Sequence, residues 1–420
     1  MRPAWRCLAA VGLATVALAS HALDGVVRDG STARPIPHAI VAAGGEVRRT
    51  DEHGRFDFGA FASATTVSAR AVGYGRQERL IQGEGSVDLT LAPLRPKALY
   101  LSVYGIGSEK LRGDALKLVD ETELNALVID VKGDRGLVPY RSAALAASGL
   151  AQTVVTVPDM PGLVKSLHRR GLYLIARIVV FKDEPLATAH PQWAVHDAHG
   201  AVWKDRESLP WIDPFRREAW EHSLALAEEA AELGFDEVQF DYLRFPDAQG
   251  LKFSEPDTED KRVAAINGFL DAAQGRLARR NVFIAADIFG YVAWNADDTR
   301  IGQQLESIAT HVDYLSPMLY PSGFTFGIPG HRDAVAAPYD IVQQTLQRAQ
   351  RRTGLAGVRF RPWLQAFRDY AFDRRDFGAR EIRLQIDAAE AAGSDGWMLW
   401  NPHNRYDDDG LVRASSRSAP

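Results

Sequence analysis

From residue 23 to about residue 94, apolar positions recur at every second residue in short bursts broken by glycine turns. Phe56-Asp57-Phe58 and the run from Thr65 to Ala71 alternate, and Asp29-Gly30, Gly44-Gly45 and Asp51-Glu52-His53-Gly54 punctuate them. Nothing here keeps a helical period, so the segment predicts a small antiparallel β-sandwich. Ala92-Pro93-Leu94-Arg95-Pro96 follows as a short stiff linker. Beyond it, apolar runs that suit strands alternate with amphipathic runs that suit helices. The predicted strands cover residues 99–104, 126–132, 172–181, 237–245, 282–289, 314–320, 359–367 and 396–401. Helical patterns end at 121 and span 160–170, 216–233, 261–279, 301–310, 339–352 and 380–392 between them. Eight β/α units over roughly 310 residues predict an α/β fold, a (β/α)8 TIM barrel. A doubly wound open sheet fits less well, because Gly105-Ile106-Gly107-Ser108 after the first strand lacks the third glycine of a phosphate-binding turn.

A barrel places chemistry at the C-terminal ends of its strands. Counting by twos along each strand, the inward polar residues near those ends are Ser102, Tyr104, Asp130, Lys132, Arg177, Gln239, Asp241, Asp287, Ser316, Tyr320, Gln365 and Trp400. Asp241 closes Phe235-Asp236-Glu237-Val238-Gln239-Phe240-Asp241-Tyr242-Leu243-Arg244-Phe245-Pro246, a strand stopped by proline. A buried carboxylate needs either a cation, here Arg244, or a wet cleft that uses its charge. Asp130 has Lys132 two residues along on the same expected face. Asp241 and Asp287 come from neighbouring strands with no basic residue between them, and facing carboxylates split their pKa values as an acid and a nucleophile or base require. The long loop after the third strand carries Trp193, Trp203 and Trp211, which either stack on sugar rings or pin the loop to the barrel.

Composition narrows the partners. The chain has 420 residues, a formal charge of -5 and a pI near 6.1, which argues against nucleic acid or an anionic membrane. A basic head, an apolar run from Leu8 to Ala19 and Ser20-His21-Ala22 predict a secretory signal peptide over 1–22 and an exported protein, periplasmic or secreted. No other segment is apolar enough to span a membrane. The only cysteine, Cys7, falls inside that leader. With no His-x-His or His-Glu-x-x-His, and only a loose group of His190, His196 and His199, no metal or other cofactor is expected. The expected organisation is therefore signal peptide 1–22, sandwich 23–95, barrel 96–410 and a disordered tail 411–420.

Two resemblances add to this. Gly25-Val26-Val27, Pro37-His38-Ala39-Ile40-Val41, the stretch Thr50 to Phe56 and Ala71-Val72-Gly73-Tyr74 resemble the carboxypeptidase regulatory-like, transthyretin-type sandwich. The stretch Gly234 to Pro246, with Trp211-Ile212-Asp213-Pro214 upstream and Ser316-Pro317-Met318-Leu319-Tyr320-Pro321 downstream, resembles the glycoside hydrolase-like domain family DUF4015. That resemblance implies a glycosidase-like barrel whose nucleophile is an aspartate ending the fourth strand, the place of Asp241. Amylase-type barrels set a glutamate at the end of strand five and an arginine two residues before the nucleophile; this chain has Asp287 and Gln239 there. The expectation is hydrolysis of a polysaccharide or oligosaccharide, with Asp241 attacking or activating water and Asp287 protonating the leaving oxygen. Asp130, Lys132, Arg177, Trp211, Gln239, Arg244, Tyr320, Gln365 and Trp400 would bind substrate. The alternative is a glycan-binding barrel of the cell envelope without turnover.

Overall fold

A computed structural model describes residues 21–61, 65–82 and 85–414. The expected leader, up to residue 20, lies outside the described residues, as do 415–420. The N-terminal strands are β1 (His21–Asp29), β2 (Ile40–Ala43), β3 (Glu46–Arg49), β4 (Arg55–Phe61), β5 (Thr65–Arg70), β6 (Gln77–Ile81) and β7 (Leu89–Leu91). They form two sheets, β4-β1-β7 and β3-β2-β5-β6, closed over Leu23, Val27, Val41, Phe56, Val67 and Leu89. The alternation read from the sequence is what puts those residues on inner faces. One pairing departs from the all-antiparallel expectation: β1 and β7 run parallel.

The second domain is a closed parallel barrel of β8 (Lys97–Leu101), β9 (Ala126–Lys132), β10 (Tyr173–Val179), β11 (Glu237–Asp241), β12 (Phe283–Phe289), β13 (Tyr314–Met318), β14 (Trp363–Gln365) and β15 (Trp397–Trp400). Each strand pairs with the next and β15 returns to β8, so no edge remains. Alternate residues fill the inside, including Tyr100, Val128, Ile175, Phe283, Tyr314, Trp363 and Met398. Their neighbours face the helices, among them Ile129, Ile178, Phe240 and Trp397. Several strands stop earlier than the pattern suggests. The first ends at Leu101, because Ser102 caps a short helix, Val103–Gly107, by accepting from the Gly105 N–H at 3.1 Å. The helix expected over 301–310 is a single turn, Leu305–Ile308.

The floor of the barrel is polar but internally paired. The Arg361 guanidinium bridges Glu237 and Asp395, and Tyr173 donates to Glu237 at 2.9 Å. The sandwich docks beneath this floor. Arg76 reaches Asp236 at 2.8 Å, the Asn281 carbonyl at 3.0 Å and the Gly234 carbonyl at 2.5 Å. The Gly73 N–H donates to the Tyr314 hydroxyl at 3.0 Å. Residues 411–414, expected to belong to a disordered tail, instead lie against the loop around Glu123, where the Glu123 N–H donates to the Val412 carbonyl at 2.8 Å. Among the described residues no helix is long and apolar enough to cross a membrane.

Candidate active site

The barrel's C-terminal mouth is organised by Arg177, which rises from β10 between two acidic strands. Its Nη1 donates to Asp130 at 2.7 Å and its Nη2 to Asp134 at 2.9 Å. Nε and Nη2 both reach Asp241 Oδ2, at 2.9 and 2.6 Å. One guanidinium thus holds three carboxylates, a geometry its planar fork of donors suits. Burial alone would lower the Arg177 pKa, but Asp241, Asp130 and Asp134 outweigh it and push it up. The expected partner of Asp241, Arg244, is elsewhere. The partner lies across the sheet because β10 and β11 pair Arg177 with Gln239, two residues below Asp241, within reach of a long side chain.

Local backbone irregularities aim these groups. The β9–β10 register shifts after Asp130, which pairs with Arg177, so that Lys132 pairs with Ile178. This bulge turns Lys132 out of the barrel. Its ammonium bonds Asp183 at 2.7 Å and Ser223 at 3.0 Å under the helix Arg217–Leu233. Lys132 is therefore not a mouth residue and does not pair with Asp130. Immediately after Asp241 the chain leaves the strand through Tyr242 at φ +47°, a backbone region costly for a bulky residue. The turn lets the Tyr242 N–H donate to Asp241 Oδ1 at 2.6 Å.

Asp287 has the opposite environment. It lies two residues before the end of β12 at 1% exposure, Trp363 Nε1 donates to its Oδ1 at 2.8 Å, and its Oδ2 has no partner. Burial first, and the nearby Asp241 charge second, push its pKa well above 3.8. Burial raises Asp130 to about 6, with Arg177 and the Tyr100 hydroxyl pulling back; Tyr100 donates to it at 2.7 Å. Tyr320 is also raised, by burial and then by Asp241 and Asp287.

Beside this cluster opens a cleft of about 280 Å³ lined by Tyr100, Tyr104, Asp130, Asp134 and Trp400. Trp400 stacks on Tyr100 with centroids 4.0 Å apart and lies under the Arg177 guanidinium at 4.9 Å. Asp134 is 35% exposed and Tyr104 57%.

The remaining expected residues divide. Gln239 lies deeper in the barrel, donating to Ser316 at 2.9 Å. Gln365 is consumed by the Ser322 loop, accepting from the Ser322 N–H at 3.0 Å and donating to its hydroxyl at 2.7 Å. Trp211 is buried and tied to Asp205 at 3.0 Å, the pinning role. Arg244 covers its ring at 4.8 Å. Both face a neighbouring cleft of about 620 Å³ with Lys182, Trp203 and Tyr242. Counting by twos missed Tyr100, because the first strand ends earlier than expected, and Asp134, because it lies beyond the strand in the loop.

Residues 98–406, which contain this mouth, match the family described as "putative glycosyl hydrolase domain", DUF4015. The chain belongs to that family. Among solved structures, a hypothetical protein from Ruminiclostridium thermocellum is 35% identical over 45% of this chain and 96% of its own, with a TM-score of 0.40. The glycoside hydrolase domain of PgaB (BpsB) from Bordetella bronchiseptica is 13% identical over 74% of this chain and 95% of its own, with a TM-score of 0.54, a likeness of fold. No curated protein matches the sequence.

Two outcomes test the electrostatics of this glycosyl hydrolase domain. Arg177→Leu leaves Asp130 and Asp241 buried without their cation, and urea unfolding should show a loss of about 3–5 kcal/mol. Asp287 holds a proton in the folded chain above pH 3.8, where the unfolded chain releases it. The stabilisation from that proton is complete below the unfolded pKa and is lost as pH rises toward the folded one. Asp287→Asn keeps the Trp363 bond and has no such dependence. Its stability relative to wild type should therefore climb with pH by up to about 1.4 kcal/mol per unit. A difference that stays flat as pH rises above about 4 would mean that Asp287 is an ordinary carboxylate.

Proposed function

We propose that the protein hydrolyses glycosidic bonds in a polysaccharide or oligosaccharide with two carboxyl groups in different protonation states. The observation that carries this reading is the contrast between Asp241, bound by Arg177 as a carboxylate, and Asp287, one strand away, buried and driven toward its neutral form. Asp241 attacks the anomeric carbon or activates water; Asp287 delivers its proton to the leaving oxygen. Arg177 holds the Asp241 carboxylate in place, where the sugar's positive charge develops beside it. Trp400 and Tyr104 offer ring faces to the apolar side of a sugar, and Asp130 and Asp134 accept from hydroxyls. An export leader over residues 1–22 suits a polymer met outside the cytoplasm, and the N-terminal sandwich, similar to regulatory-like modules, takes no part in the chemistry.

One observation favours a second assignment of the acid. The unpartnered Asp287 oxygen is enclosed, whereas Asp134 lines the open cleft. Under the first assignment, a sugar has to reach an enclosed oxygen of Asp287; under the second, Asp134 protonates the leaving group and Asp287 only tunes Asp241.

Reducing-end release from a panel of bacterial and plant glycans tests both. Asp241→Asn should lower kcat by at least about a thousandfold. Loss of the acid should cost about 10²–10⁴-fold, in Asp287→Asn under the first assignment and in Asp134→Asn under the second. Wild-type turnover by Asp241→Asn would end the proposal. Binding of a glycan without release by wild type would establish the non-catalytic alternative.

A further inference from the structure

A second site lies at the other end of the barrel, where the sandwich meets the floor. The register pairs Ile40 of β2 with Arg49 on one side and Arg70 on the other. Laterally paired residues point to the same face of a sheet, so both arginines project together toward the barrel. Across from them stand Arg359, just before β14, and Asp313, just before β13. These four residues line a crevice of about 480 Å³ between the domains, far more than the roughly 30 Å³ of one water.

The charges there do not balance. Arg70 is 4% exposed, yet its Nε and Nη1 have no hydrogen-bond partner. Arg359 spends its donors on backbone carbonyls of Asp313, Ala309 and Val312. Arg49 is exposed and is without an ion pair among the described residues. The one carboxylate, Asp313, already accepts from the Ile284 N–H at 2.9 Å. Three guanidiniums thus face a single engaged carboxylate. Burial, with Arg76 and Arg49 adding repulsion, outweighs the attraction of Asp313 and lowers the Arg70 pKa, the sign of a buried cation without enough negative charge. Such a group is expensive to keep unless something completes it. Two other buried arginines are completed by carboxylates: Arg177 by three and Arg361 by two.

We infer that this interdomain crevice binds an oxyanion of the phosphate or sulfate class, held by Arg70 and Arg49 of the sandwich and Arg359 of the barrel. A tetrahedral oxyanion accepts from several guanidinium donors at once. Bound there, it links the two domains by bridging charges that otherwise repel across their interface. The site is independent of the chemistry at the mouth, since it lies at the N-terminal ends of the strands.

Calorimetric titration and thermal melting of the two-domain protein with inorganic phosphate, against sodium chloride at equal ionic strength, test this. A parallel arm with glucose 6-phosphate separates a free ion from one carried on a sugar. Saturable one-site binding and a raised melting temperature are expected for at least one of the two. Arg70→Gln should weaken binding by at least about tenfold. Arg49→Gln, which removes one of the repelling cations at an exposed position, should melt no lower than wild type in chloride and still lose several-fold in affinity. A response to both phosphates no larger than to chloride, or Arg49→Gln and Arg70→Gln proteins that bind as wild type does, would overturn the inference.

Discussion

Arg177 is the group on which the mouth of this barrel depends. Four carboxyl groups, Asp130, Asp134, Asp241 and Asp287, gather near the C-terminal ends of β9, β11 and β12, and their charges repel one another unless a cation lies among them. The guanidinium reaches three of them directly. The fourth, Asp287, is beyond its hydrogen bonds and takes the consequence: burial and the Asp241 charge push it toward the protonated form. A single positive charge therefore sorts four like groups into three ion-paired carboxyls and one that is pushed toward its protonated form. The different surroundings of Asp241 and Asp287 arise from geometry, since all four side chains are chemically the same.

The rest of the barrel serves to hold that geometry. Trp363, from the short β14, fills the inside and points its N–H at Asp287, while Tyr100 and Trp400 stack into a wall that carries both Arg177 and Asp130. The bulge after Asp130 removes Lys132, which would otherwise compete with Arg177 for the same anions. The left-handed turn at Tyr242 ends the strand where the carboxylate is needed and donates a backbone N–H to it. Below, the paired Arg361–Glu237–Asp395 group seals the floor, and the sandwich closes over it through Arg76.

Much of this was legible in the amino-acid order because it rests on period and parity. Eight alternations of strand and helix show a barrel, and counting by twos places Asp130, Arg177, Asp241 and Asp287 inside it. What was hidden depends on breaks in those periods. Lys132 counts as inward until a bulge inserts one residue, and Tyr100 is overlooked when the first strand is drawn three residues too long. Arg244 is near Asp241 along the chain but is carried away by the turn at Tyr242, whereas Arg177 is far along the chain and adjacent across the sheet. Trp211 reads equally as a sugar platform or an anchor, and only its bond to Asp205 and its burial decide for the anchor. The docking of the two domains, set by Arg76 against Asp236, has no periodic signature.

The central claim is that burial and the Asp241 charge keep a proton on Asp287 at a pH where an ordinary carboxyl has lost it. Difference infrared spectroscopy of wild type against Asp287→Asn at a pH just above the ordinary carboxyl range measures that directly, because a protonated carboxyl has a carbonyl stretch that a carboxylate lacks. The account predicts a carboxylic acid band in the wild type that disappears in Asp287→Asn. A wild-type spectrum in which the substitution removes only carboxylate bands would contradict it.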